Sequence, residues 1–224
     1  MSISVIIPCH NMADTLVRAV ESALDEADEV LLYDDGSSDD TQTVCWNVTA
    51  QSKTVRYLRR RSAVPIGVCG ARNLLISHAA GNLIIPLDAD DWFLPGGIAA
   101  LRKAHQEHSF IYGGWVDSRG EHRPPPIGML NRKNVAKATF LFEKEHWLQV
   151  GGYNPLFNCG AEDYAFMLAL HNAGIQGIAI DEPVYHYTDN DTGRAARCKA
   201  RWPIIQDMME AVYGIRPGDV HQKA

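Results

Sequence analysis

No stretch of this sequence approaches the roughly eighteen consecutive apolar residues of a membrane-spanning helix. Its opening, MSISVIIPCHN, lacks the basic first segment and small-residue cleavage site of a secretory leader, so a cytoplasmic location is the expectation. The five cysteines (Cys9, Cys45, Cys69, Cys159, Cys198) are odd in number and include no Cys-x-x-Cys pair, which indicates neither a zinc site nor a disulfide framework. They read as small buried apolar residues. An excess of basic residues is missing as well: the formal net charge of -6 argues against a surface built mainly to hold nucleic acid. Also absent is a Gly-rich phosphate loop with a basic residue behind the first apolar run, where the sequence reads PCHNMADT. What is present, 224 residues at 46% hydrophobic and 21% charged, fits one globular domain with a sizeable core.

The chain is organised around NLIIPLDADDW, residues 82–92, where a short apolar run ends in three carboxylates. Leu83 to Leu87 reads as a central strand buried on both faces. If strand geometry continues past it, Asp88 and Asp90 point to one side and Asp91 to the other. Two converging carboxylates repel unless a cation lies between them, and hard oxygen ligands suit Mg2+ or Mn2+. The alternative is an acidic loop in which Asp91 caps the helix after Pro95.

Ile3 to Ile7, stopped by Pro8, predicts a first strand. Leu16, Ala19, Val20, Ala23 and Leu24 then follow helical spacing over 15–24, with Asp14 placed to cap it. Between them lies a loop at the carboxyl end of a strand, where open α/β sheets bind ligands. His10 there is placed to stack on a base or to be merely exposed. Glu29 to Tyr33 predicts a second strand running into DDGSSDDT. Gly36 permits a turn, Ser37 or Ser38 can cap the next helix, and Asp39 and Asp40 favour its N-terminus. Asp34 and Asp35 at the strand tip can accept a hydrogen bond from a base or belong to a structural turn. After a strand over 55–58 and Arg59, Arg60 and Arg61, a helix carries Arg72 and Asn73 before Gly81. Arg72 can reach a phosphate or the Asp88 carboxylate, or be a surface arginine with no partner. This alternation predicts a parallel, nucleotide-binding type of sheet with right-handed crossovers.

The alternation then stops. The pattern predicts a helix from Pro95 to His108, strands over 110–112 and 115–117, a rigid RPPPIG segment, a strand over 138–142 and a short helix over 144–150. Glu162 and Asp163 open a helix over 164–173, where acids also complement the helix dipole. Arg194, Arg197, Lys199 and Arg201 precede a helix over 203–213 with Ile204, Ile205, Met208, Met209 and Val212 on its apolar side. These cations are either solvated or hold an anionic acceptor.

SVIIPCHN, DDGSSDDT, ARN, LDADDWFLP and GAED occur in that order over residues 2–187 and resemble the family 2 glycosyltransferases of the GT-A fold. The resemblance implies an α/β fold, with a mainly parallel nucleotide-binding sheet flanked by helices and a mixed C-terminal acceptor-side half. Within a single domain it implies a nucleotide-binding half over 1–95, an acceptor half over 96–190 and a C-terminal helix and tail over 191–224. It implies an inverting transferase that uses Mn2+ or Mg2+ and a nucleotide-diphosphate sugar, a UDP-sugar for preference. Asp88 and Asp90 would hold the metal. Pro8, His10, Asp35, Arg72 and Asp88 would contact the nucleotide side, and Asp163, paired with Glu162, would be the general base. The acceptor stays open between a glycan or lipid precursor, which could be anionic, and a hydroxylated base in DNA, the one way in which nucleic acid would enter. Many members carry Tyr-Arg-x-His after the last strand, whereas VYHYTDNDTGR offers His186, Asn190 and Asp191. The rival readings are an inactive binding module and, less well matched, a sugar-phosphate nucleotidyltransferase.

Overall fold

In the computed structural model of the chain, residues 1–58, 64–127, 130, 137–158, 160–189 and 201–218 are described. Three strands set the centre. In β1 (Ile3–Cys9), Ile3, Val5, Ile7 and Cys9 enter one core while Ile6 enters another. β2 (Glu29–Asp34) does the same, with Val30 and Leu32 on one side and Leu31 and Tyr33 on the other. β4 (Leu83–Pro86) places Leu83 and Ile85 opposite Ile84. Burial on both faces accounts for the largely apolar runs, since neither side of the pleat meets water, and the buried Ser4 of β1 is satisfied by donating to Glu29 Oε2 at 2.6 Å.

With β3 (Val55–Tyr57) and β8 (Phe142–Glu143) these strands form a sheet ordered β3-β2-β1-β4-β8, parallel except for β8. The crossovers are α1 (Leu16–Leu24), α2 (Thr41–Gln51) and α3 (Gly67–His78). A second, mixed sheet runs β5 (Trp92–Phe93), β9 (Gln176–His186), β6 (Ser109–Val116), β7 (His122–Arg123). Around it lie α4 (Gly97–Ala104), α5 (Lys144–Gln149), α6 (Glu162–Asn172) and α7 (Trp202–Tyr213). α4 lies so close to β9 that a Cβ on Gly97 would fall 2.1 Å from the Val184 carbonyl oxygen, which makes glycine obligatory there. α7 buries Trp202, Ile205 and Met209 against Phe157, Tyr164 and Leu168 and leaves Ile204 and Val212 exposed, so its predicted apolar side is only half used.

Several expectations need correction. Pro8 does not stop β1 but pairs with Tyr33 inside it. Its missing N–H faces the β4 side, where the ladder has already ended at Pro86, so no bond is lost. Asp14 does not cap α1; the capping position is Thr15, with no side-chain bond, and the first turn is fastened by the Met12 carbonyl accepting from Leu16 N at 3.0 Å. Neither Ser37 nor Ser38 caps α2. Asp39 fastens that end instead, accepting from the Thr41 N–H and hydroxyl. The two strands expected over 110–117 are one, with a register shift at Gly113 and Gly114. The helix after Pro95 is shorter than predicted, ending at Ala104, and the strand over 138–142 reduces to β8 and a single bridge between Leu141 and Ile111.

Candidate active site

After β4 the chain leaves the ladder with the Leu87 N–H donating to Ile6 O, and Asp91 N donates back to Asp88 O at 3.0 Å. That turn replaces the alternation of a strand. Asp91 therefore does not point away from its neighbours: Asp88, Asp90 and Asp91 each bring a carboxylate oxygen within 4.8 Å of the others. Nor does Asp91 cap the following helix. It is 1% exposed, and its Oδ1 accepts from Thr188 N at 2.7 Å, while Oδ2 is buried without a hydrogen-bond partner. Burial first, then the Asp88 and Asp90 charges, push its carboxyl up to about 9 against the pull of the Thr188 N–H and Lys137. Converging hard oxygens, one of them orphaned in a buried position, fit a divalent cation.

The turn is held from two sides. Thr188 Oγ1 donates to Asp90 O at 2.6 Å, and Arg18 Nη2 does so at 3.4 Å. The Arg18 guanidinium lies 3.5 Å over the Trp92 ring, whose other contact is a parallel stack with His186 at 3.7 Å. The His186 ring is thus occupied by Trp92, and burial followed by the Arg18 charge lowers its pKa. Asn190 and Asp191, like Arg194, Arg197 and Lys199, lie outside the described residues.

Arg72 is fully buried and joins the two halves of the chain. Nη2 donates to Asp88 Oδ1 at 2.7 Å and Nη1 to Glu162 Oε1 at 3.1 Å. Burial alone would lower its pKa, but the Asp88 and Glu162 charges override this and raise it, so the guanidinium stays charged. Of the two partners the residues allowed it, Arg72 takes the Asp88 carboxylate. Glu162 is 3% exposed, and this pairing turns it into the interior. Asp163 next to it is half-buried and accepts from Tyr164 N at 2.7 Å. Ala161, before them, has a left-handed φ of 63°, a strained setting for a residue with a Cβ.

At the tip of β2, Asp34 accepts from Ser37 N and Oγ, the closed turn that its sequence allowed. Asp35 reaches across to α3: Oδ1 accepts from Ile66 N and Oδ2 from Gly67 N, each at 2.8 Å. This remote cap was not foreseen. It supplies what Ile66, the capping residue with no suitable side chain, does not. Each Asp35 oxygen retains a further lone pair. Asn158, accepting from Cys69 N at 2.9 Å, ties the loop before α6 to the same helix end. His10 is exposed and its Nδ1 lies 3.1 Å from Asp35 O, while Pro8 is partly buried at the end of β1. Pro8, His10, Asp35, Arg72, Asp88, Asp90 and Asp163 are thus carried by the carboxyl ends of β1, β2 and β4, by α3 and by the first turn of α6.

Residues 4–158 match the family described as glycosyl transferase family 2. The chain belongs to that family. Among curated relatives, this family 2 chain is 29% identical to the glucosyltransferase WfaP of Escherichia coli over 78% of its own length and 72% of the relative's. It is 41% identical to the succinoglycan biosynthesis protein ExoU of Rhizobium meliloti over 44% of its own length and 29% of that protein's. The chain spans only 18% of the length of two Rickettsia relatives it also matches. Its fold is that of S. aureus TarS with UDP-GlcNAc, at TM-score 0.74 and 16% identity over 99% of this chain and 69% of that one. The mannosyltransferase PcManGT of Pyrobaculum calidifontis, with GDP-Man and Mn2+, follows at TM-score 0.73 and 16% identity over 94% and 64%. The GT-A fold expected from the motifs is the fold observed. No helix among the described residues is long and apolar enough to cross a membrane.

Proposed function

We propose that this chain moves a sugar from a nucleotide-diphosphate sugar to an acceptor hydroxyl in the cytoplasm, with inversion at the anomeric carbon. The observation that carries the reading is the Arg72 bridge, with Asp88 on one arm and Glu162 on the other, which sets the first turn of α6 beside the acid turn. Asp88 and Asp90 are the residues that would hold Mn2+ or Mg2+. A divalent cation bound there would offset the negative charge gathering on the departing nucleoside diphosphate.

Asp163, half-buried in the first turn of α6 beside Glu162, accepts the proton of the acceptor hydroxyl as the new bond forms. Glu162 orients that turn. Asp35 meets the base with its remaining lone pairs, His10 and Pro8 border the base, and the direct displacement needs no covalent intermediate. A UDP-sugar is the favoured donor, given that the relative WfaP is named for UDP-Glc. A lipid-linked glycan precursor is preferred to a hydroxylated DNA base as acceptor, because WfaP is named for a GlcNAc-diphosphoundecaprenol acceptor and this chain carries a net charge of -6.

The test is to incubate the chain with UDP- and GDP-sugars, with Mn2+ or with chelator, and to follow nucleoside diphosphate release. Slow metal-dependent hydrolysis of one donor is expected, and NMR of a transfer product should show the opposite anomer. Retention of configuration, or release of pyrophosphate instead, would overturn the reading.

A further inference from the structure

The acid turn and α6 line the site with negative charge: Asp88, Asp90 and Asp163, with Asp189 on the chain beyond β9. An anionic acceptor entering here would be repelled by several carboxylates at once unless a cation met it. Arg72 cannot serve, because it is fully buried with both arms engaged. Lys137 can. It is partly exposed, and among the described residues its ammonium makes no ion pair or hydrogen bond.

The Lys137 ammonium lies 4.7 Å from the Tyr187 ring centre and 5.8 Å from that of Trp115, both within cation–π range. Trp115 stands on β6 and Tyr187 directly after the neighbouring β9, where Tyr187 N donates to Val116 O at 2.8 Å. Tyr187 directly precedes Thr188, whose backbone and side chain clamp Asp91 and Asp90. Burial first, and then the neighbouring Asp91, Asp88 and Asp163 carboxyl groups, raise the pKa of the Tyr187 phenol. Two aromatic faces therefore hold one cation beside the acid turn, close enough for its charge to reach Asp91.

We propose that Lys137, held by Trp115 and Tyr187, is a binding subsite for an oxyanion carried by the acceptor sugar, a carboxylate or a phosphate. This deepens the transferase reading above and rests on it. A lone ammonium is a compact point charge with rotatable donors, suited to either oxyanion without the bidentate geometry that arginine would impose.

The experiment measures binding to the full chain saturated with UDP and Mg2+, by ligand-observed NMR titration. The probes are methyl β-glucuronide, N-acetylglucosamine 1-phosphate and neutral methyl β-glucoside. At least one anionic sugar should bind about fivefold more tightly than the glucoside, the scale of one partly exposed charge pair. Which of the two binds identifies the carboxylate or the phosphate as the group recognised. Lys137→Ala should erase that preference and Lys137→Arg should retain it, with thermal melts showing both variants folded. Equal binding of all three sugars, or an anion preference that survives Lys137→Ala, would overturn the subsite. So would a Lys137→Ala variant that loses UDP affinity in place of the anion preference, because the lysine would then belong to the donor. UDP titrated alone into the native chain reads the donor site separately. Failure there and with GDP in its place, with an anion preference still present, would sink the transferase reading and the acceptor assignment with it while leaving an anion site.

Discussion

The parallel sheet and the mixed sheet of this chain are built by different rules. In the parallel sheet β1, β2 and β4 are buried on both faces, and their carboxyl ends deliver Asp35 and the acid turn to one edge. In the mixed sheet β9 has largely exposed residues over its first two thirds, and β5 meets it only through Trp92 and Phe93. The first sheet sets positions through its backbone, so what stands at a strand tip is fixed by the ladder. The second depends on individual side chains: Thr188 clamping a turn, Trp92 stacked on His186, Lys137 between two rings. Rigid placement thus comes from one half, and the side chains that finish the site come from the other.

The widest test of that division is Asp163→Asn, on a helix of the second half. Transfer should fall by about two to four orders of magnitude, the usual worth of general-base catalysis, while titration of UDP with Mn2+ stays close to native. If both fall together, the halves are not separable. Arg72→Met breaks the seam itself, leaving the Asp88 and Glu162 carboxylates without their shared cation. Urea unfolding should show a loss of about 3 to 5 kcal/mol. A loss below about 1 kcal/mol would mean the two halves hold together without the ion pairs. Asp35→Ala acts within the parallel half only. It removes both acceptors from the Ile66 and Gly67 N–H groups and should cost about 1 to 3 kcal/mol, with faster amide exchange at those two positions.

The smallest effect is a slope. Asp91 has its folded pKa raised to about 9 from an ordinary 3.8, so the protonated form is the one the fold favours. Its contribution to stability is complete below about pH 4 and is lost as the pH climbs toward and through 9. In chelator, the native melting temperature should therefore decline over that window, and Asp91→Asn should decline less. Parallel curves would show that Asp91 is already ionised in the metal-free fold.

The same contrast explains what the sequence made legible. Apolar runs such as Ile3 to Ile7, interrupted only by the buried Ser4, and Leu83 to Leu87 announced the parallel sheet because burial on both faces leaves little room for polar residues in a strand. The acids at their tips were legible for the same reason, as charges with no structural cause nearby. Asp91 was misplaced because strand alternation was carried past Leu87, where a turn closed by Asp91 N and Asp88 O takes over. Asp35 as a distant cap was invisible, since its partners lie over thirty residues on, and only the lack of a capping side chain before Gly67 hinted at it. β5 escaped notice because a two-residue strand leaves almost no periodic trace, while the interruption at Gly113 and Gly114 was legible but is a bend within one strand, β6. Lys137 was missed too, as one lysine among many until the fold brings Trp115 and Tyr187 around it.

Arg72 also bears on the order in which the molecule can be made. Its nearer partner, Asp88, follows sixteen positions later, but Glu162 lies ninety positions along. A chain emerging from the ribosome can pair β1, β2 and β4 and seat α3 long before α6 exists. Until then one arm of a guanidinium destined for the interior must stay hydrated, and the floor of the site must stay ajar. Closing that span is a late, entropically costly event. Refolding watched by pulsed amide exchange should therefore protect Val5 and Leu31 well ahead of the first turn of α6, and Arg72→Met should leave the early phase unchanged while altering the late one.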